Sequence, residues 1–183
     1  MPGTPPSPID PGTLTVTPPG GTPVTIPQGA GSPGSYFASL PAGSLPSTGG
    51  AVAFKGSGGT QVGAFSAVVD FPNPLLSWTN SGVAANVTRS QGLTVNWTGG
   101  AAGTFVFVKG NSANGTAGAL YTCTAPVEAR TFTVPPYILA MLPPGPGSTT
   151  VSNNTAYTTF AATGLDVGIA YGAVWISVNT TVN

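Results

Sequence analysis

The sequence predicts an all-β protein, and two observations carry that expectation. Short runs rich in Val, Thr, Phe and Tyr recur at roughly ten-residue spacing, with Gly, Pro, Asn and Ser clusters between them, the pattern of a sandwich or barrel. No stretch of ten or more residues shows an apolar 3.6-residue period bounded by caps.

Taken in order, half of the first 34 residues are Gly or Pro. Residues 1–12 (MPGTPPSPIDPG) therefore read as an extended, polyproline-like arm. Leu14-Thr15-Val16 and Val24-Thr25-Ile26 are short β signals bounded by prolines, which confine strands to sheet edges and entrances. Both are expected to be peripheral. Tyr36–Leu40, Ala51–Phe54 and Val62–Phe71 follow as strands. In the last, Phe65, Ala67, Val69 and Phe71 share one face at period two. Residues 13–71 thus form a small β unit, and Pro72-Asn73-Pro74 reads as the connector to a second unit over 72–183.

In that second unit the expected strands are 75–79, 84–88, 93–98, 104–109, 119–125 and 130–134. Leu93, Val95 and Trp97 point one way, with Thr94, Asn96 and Thr98 opposite. Phe105-Val106-Phe107-Val108 is apolar on both faces, as a central strand is. Pro135–Leu142 is expected to make one helical turn with Pro136 at its start. Residues 143–147 (PPGPG) read as a loop. Residues 149–162, broken at Asn153-Asn154, and 167–178 close the chain as strands. No exact internal repeat occurs.

Charge is nearly absent. Four Lys and Arg residues stand against four Asp and Glu, 4% of the chain, with no histidine and one cysteine; an ordinary soluble domain is about 25% charged. Four scattered cations cannot neutralise a phosphate backbone, so no nucleic-acid partner is expected. No apolar run approaches the roughly 20 residues of a spanning helix. The apolar content, 40% with zero net charge, is the opposite of a disordered composition. Met1-Pro2-Gly3 lacks the basic start and apolar run of a signal peptide; either the signal has been removed or Met1 marks an artificial start or a fragment boundary. Cys123 has no partner for an intrachain disulfide and reads as a buried, inert thiol rather than a reactive one.

Chemistry-bearing constellations are scarce. Without histidine, a Ser or Thr nucleophile has only Lys55 or Lys109 as a base. A glycosidase pair would have to come from Asp10, Asp70, Glu128 and Asp166, each of which has a turn or pairing role, Glu128 with Arg130. These four are too scattered for a calcium site. No catalytic residue, metal ligand or cofactor is expected. Arg89 reads as a brace on neighbouring carbonyls. Trp78 and Trp97 are expected in the core, while Trp175 and Tyr171 are the best exposed aromatics, read as an interface with another subunit or as a sugar platform. Five sequons, at Asn86, Asn96, Asn114, Asn153 and Asn179, are possible glycosylation positions.

Ser77-Trp78-Thr79-Asn80, the segment Thr88–Gly100 (TRSQGLTVNWTGG), Tyr121–Val127 (YTCTAPV) and Phe132-Thr133-Val134-Pro135 form a recognisable pattern. So do Gly59–Phe71 and Phe160–Gly168 (FAATGLDVG). Over residues 55–170 the chain resembles a region of poorly characterised acidobacterial-type secreted proteins, often found near immunoglobulin-like repeats. The resemblance implies an extracellular or cell-surface location and immunoglobulin-like β-sandwich units. It carries no catalytic residues, and it does not extend to the Pro-rich arm.

The functional expectation is an extracellular, non-enzymatic structural protein that self-assembles by β-strand addition, as a filament or pilus-like subunit. Its partner would be further copies of itself. The assembly candidates are Leu14, Val16, Val24 and Ile26 at the amino-terminal end and Tyr171, Trp175 and Val178 near the other. The alternatives are a carbohydrate- or surface-binding adhesion module and an accessory domain of a secreted enzyme.

Overall fold

The computed structural model describes residues 9–183, so the first eight residues of the arm lie outside the described residues. The fold is all-β. Its strands in chain order are β1 (Leu14–Thr17), β2 (Val24–Ile26), β3 (Gly50–Gly56), β4 (Phe65–Phe71), β5 (Ser77–Trp78), β6 (Asn86–Val87) and β7 (Leu93–Thr98). There follow β8 (Phe105–Ala113), β9 (Gly118–Pro126), β10 (Thr131–Val134), β11 (Gly145–Asn154), β12 (Thr158–Phe160), β13 (Gly168–Ala170) and β14 (Ala173–Val182). One helical turn, α1 (Pro136–Leu139), begins at Pro136 as expected. Proline suits that position because its missing N–H has no partner there anyway.

The chain divides into two compact units, Met1–Phe71 with Tyr157–Tyr171, and Pro72–Ala156 with Gly172–Asn183. In the first, an antiparallel sheet runs in the order β2-β1-β3-β4. Register places Ile26, Leu14, Gly56 and Phe65 in one row and Val24, Val16, Phe54 and Ala67 in the next, so one face is apolar. Thr25, Thr15, Lys55 and Ser66 occupy the other face. Within this unit the residues at the arm's end are tied down: Gly12 N–H bonds the Asp10 carboxylate at 2.8 Å and Thr13 N–H bonds Ser57 Oγ at 2.8 Å.

The hairpin β12–β13 lies inside the stretch 72–183 that the sequence assigns to one sandwich, yet it belongs to the first unit. The cause is aromatic. Phe65 of β4 and Phe160 of β12 stack with centroids 4.8 Å apart. Each ring also covers a glycine directly across its own ladder, Gly56 and Gly168, where a Cβ would collide with it. Gly63 N–H adds a 2.8 Å bond to Thr163 O.

In the second unit a three-stranded sheet, β10-β7-β5, and a five-stranded sheet, β6-β14-β11-β8-β9, share one apolar core. The alternation read from the sequence holds: Leu93, Val95 and Trp97 are buried, as are Val106 and Val108 on the facing sheet. Trp78 sits beside Trp97 across the β5–β7 ladder, and both are core residues. Trp97 Nε1–H donates to Val127 O at 2.8 Å, giving the buried indole its polar partner.

Four local segments differ from the sequence expectation. Tyr36–Leu40 is not a strand; Tyr36 makes one bridge to Gln28 among prolines and turns. Residues 143–147 are a strand in part, since β11 starts at Gly145. Pro146 is tolerated because the β11–β8 ladder begins only at Gly147, so no partner requires its N–H. The expected strand 167–178 is two strands broken at Tyr171-Gly172. Residues 84–88 shrink to the two-residue β6 after a short 3-10 turn.

Candidate assembly edges

The amino-terminal candidates fall into two situations. Leu14 and Val16 lie in β1, which is paired on both sides by β2 and β3 rather than peripheral. The prolines flank this strand without entering it, so nothing bars it from the sheet interior. Val24 and Ile26 lie on the edge strand β2, but this has only three residues. The chain beyond it is closed by Phe37 N–H donating to Pro27 O and by the Gln28–Tyr36 bridge. Little free backbone remains there.

The apolar face of this sheet ends in a groove of about 290 Å³, lined by Leu14, Ile26, Phe54, Phe65, Phe160, Ile169 and Tyr171 among others. Tyr171 is exposed and packs edge-on against Tyr157 at 5.2 Å.

Trp175 and Val178 lie in β14 of the second unit. Thr155 N–H donates to Gly172 O. In an antiparallel ladder the bonded pairs alternate, so Val174, Ile176, Val178 and Thr180 bond β11. Ala173, Trp175, Ser177 and Asn179 then turn their N–H and C=O groups away from it. The bond from Thr181 N–H to Ala85 O, on that outward side, agrees with the same alternation. β6 covers only Thr181 and Val182. From Ala173 to Thr180 the outward side has no backbone partner among the described residues.

The sheet has a second free edge, which none of the assembly candidates from the sequence occupies. Strand β9 ends the same sheet, with β8 on one side and, among the described residues, no strand on the other. Asn114 N–H donates to Ala117 O and Val127 N–H to Thr104 O. Alternation between these fixed points leaves Leu120, Thr122 and Thr124 with outward backbone groups. Leu120 is 79% exposed. The one local trace of this edge is the uncharged run Gly118–Ala125, nine residues with Pro126 that contain no Lys, Glu or early Pro to protect them.

The outward face of the five-stranded sheet carries Trp175, Ser152 and Phe107 in one row across β14, β11 and β8. Trp175 is 68% exposed, and Phe105 is also exposed at the end of β8. The next rows are polar: Thr150 and Ser177 hydroxyls pair at 2.7 Å, and Asn111 Nδ2 donates to Ser148 Oγ at 3.2 Å. Lys109 Nζ lies 5.7 Å from the Phe107 ring centroid.

The sequon asparagines are not equivalent. Asn86, Asn114 and Asn179 are exposed, and Asn96 is half-buried with its Oδ1 accepting from Thr131 Oγ1 at 2.7 Å. Asn153 is buried at 3% exposure, and its Nδ2 donates to Thr104 Oγ1 and Phe105 O. Its side chain is committed to structure.

The charged groups also brace backbone. Arg89 donates to Leu142 O and Asn183 O, both at 3.2 Å, the carbonyl-bracing role expected of it. Arg130 Nη1 donates to Gly99 O. Glu128 accepts from Gly103 N–H at 2.7 Å; that bond first, then its own N–H and the nearby Arg130, hold the carboxyl below its usual range. Cys123 is half-buried and burial pushes its thiol up, away from thiolate chemistry. No group of three or more His, Cys, Asp or Glu residues able to hold a metal occurs among the described residues. No helix among them is long and apolar enough to cross a membrane.

Tyr121 gives a clean stability prediction. Its ring covers Gly110 across the β8–β9 ladder, and its buried hydroxyl has no hydrogen-bond partner. Burial first, and the neighbouring Cys123 second, push its pKa up to about 12. The folded state therefore favours the neutral phenol. That contribution is complete below the unfolded tyrosine pKa of about 10 and is lost as pH rises through 12, of order 2 kcal/mol. Tyr121→Phe should stabilise the protein by about 1 kcal/mol, because it removes an unsatisfied buried hydroxyl. It should also abolish this alkaline loss, as read by thermal unfolding between pH 8 and 12.

Compared with family models, with curated proteins and with solved structures, the chain has no match.

Proposed function

We propose that the chain is an extracellular, non-enzymatic structural protein that polymerises by β-strand addition, as a filament or pilus-like subunit. The observation that carries the reading is the long, uncharged edge of β14 over residues 173–180, whose outward backbone groups have no partner among the described residues. Such an edge is a template for another chain. Natural proteins usually blunt it with lysine, proline or a bulge, and residues 173–180 contain neither lysine nor proline.

The second unit is read as an immunoglobulin-like sandwich. Its support is the strand order: three strands facing a sheet whose edge strand β6 runs parallel to the last strand, with the core between them. The extracellular location rests on the family resemblance.

Electron microscopy of the full chain tests the function. Filaments or fibre bundles are expected; a field of separate particles at high concentration contradicts the reading. Removing residues 1–28 is not a clean test, because it deletes β1 and β2, half of the strands of the first sheet.

A second reading, a glycan-binding adhesion module, is favoured by the row of Trp175 and Phe107 flanking Ser152 beside Thr, Ser and Asn side chains. Aromatic faces with hydroxyl and amide neighbours suit a sugar. If this holds, Trp175→Ala abolishes binding on a glycan array and leaves particle mass unchanged.

A further inference from the structure

The proposed polymer leaves open which surfaces meet. We infer that copies join heterologously, with β9 of one copy pairing antiparallel to β14 of the next. This rests on the strand-addition reading and deepens it.

Direction comes first. Strand β14 is antiparallel to β11, β11 to β8, and β8 to β9. Three reversals leave β9 antiparallel to β14. A copy displaced along the sheet, without being turned over, therefore brings its β14 alongside β9 in antiparallel sense. The same step repeats from copy to copy, which is a heterologous contact that grows open-ended unless its rotation closes.

Parity comes second. On β9 the residues with outward backbone groups are Leu120, Thr122 and Thr124; on β14 they are Ala173, Trp175, Ser177 and Asn179. In an antiparallel ladder, residues that exchange two hydrogen bonds carry their side chains on the same face. Leu120, Thr122 and Thr124 are exposed, as are Trp175, Ser177 and Asn179, because both sets lie on the outward face of the sheet. Pairing them keeps outward face with outward face and core with core, so the sheet continues without a register conflict.

Chemistry comes third. The free stretches differ by one residue, nine in β9 against eight at 173–180 in β14, and neither contains a charged side chain. The most exposed apolar groups of the two edges, Leu120 at 79% and Trp175 at 68%, would share one seam. A two-fold β9–β9 contact would cover Leu120 and leave Trp175 in water.

The test uses two variants of the full chain, Thr122→Pro and Ser177→Pro. Both residues direct their N–H outward, so proline removes a donor from the free edge and spares the internal ladder. Circular dichroism and thermal unfolding check the fold. Leu120→Lys and Trp175→Lys serve as edge-blocking substitutes if a proline variant does not fold. Expected by analytical ultracentrifugation are a polymer for the unmodified chain, a monomer for each variant alone, and a one-to-one dimer when the two variants are mixed, since each retains the edge the other lacks. A dimer of either variant alone would overturn the heterologous pairing. Continued polymerisation of both variants would overturn the assignment of edges while leaving strand addition standing. A monomeric unmodified chain would overturn both.

Discussion

Trp97→Ala should unfold the second unit or leave it barely stable, with a loss of about 4–8 kcal/mol. Two effects combine. Trp97 is 1% exposed at the centre of the core, beside Trp78, Val95 and Val127. Truncating a buried tryptophan costs about 3–5 kcal/mol through lost transfer free energy and the cavity left behind. The indole N–H also satisfies Val127 O, and stranding a buried carbonyl adds about 1–3 kcal/mol. A typical domain has only about 5–15 kcal/mol in total. Trp97→Phe separates the terms: it keeps most of the volume and loses the hydrogen bond, so a loss of about 1–3 kcal/mol is expected. Chemical denaturation of the three proteins measures both numbers. A loss below 1 kcal/mol for the alanine variant would show that this tryptophan does not anchor the core.

Asn153→Ala should cost about 3 kcal/mol, the second largest effect. Its Oδ1 accepts from Ala101 N–H at 2.8 Å, and its Nδ2 donates to Thr104 Oγ1 at 2.7 Å and Phe105 O at 2.9 Å. The amide thus ties β11 to the loop that starts β8. Alanine leaves the part-buried Ala101 N–H and Phe105 O without these partners, and each loss costs about 1–3 kcal/mol. Asn153→Asp is the sharper variant. A carboxylate can still accept from Ala101 but faces Phe105 O with no proton to give, so the folded state raises its pKa. Stability of that variant is therefore greatest below the unfolded aspartate pKa of about 3.9 and falls as pH rises through the folded value. Thermal unfolding between pH 3 and 7 should show this slope in the aspartate variant and not in the alanine variant.

What the sequence disclosed, and what it hid, follows from the range of the interactions. Leu93, Val95 and Trp97, or Phe65, Ala67 and Val69, declare their buried face because strand alternation is local and the apolar residues occupy every second position. Trp175 declares its exposure in the same way, opposite Val174 and Ile176. The placement of β12–β13 with the first unit is not local: it depends on Phe160 meeting Phe65, 95 positions earlier in the chain. Composition misled at Gly145-Pro146-Gly147, where glycine allows close strand approach rather than a turn; a Cβ on Gly147 would collide with Asn111 O. The amino-terminal candidates Leu14 and Val16 look peripheral from their flanking prolines, yet β1 is an interior strand. The free edge of β9 was illegible because strand order decides which strand lies outermost, and order is set by contacts far apart in sequence. Its lack of charge was visible, but that property is shared by almost the whole chain.

The same lack of charge supplies the most direct measurement of the account. If main-chain hydrogen bonds and apolar side chains join the copies, association does not depend on ion pairs, and salt has little to screen. Static light scattering of the full chain across a concentration series, at about 20 mM and about 500 mM salt, reads this. Strand addition predicts a mass that climbs with concentration along the same curve at both salt levels. A single-chain mass at every concentration in both would contradict it.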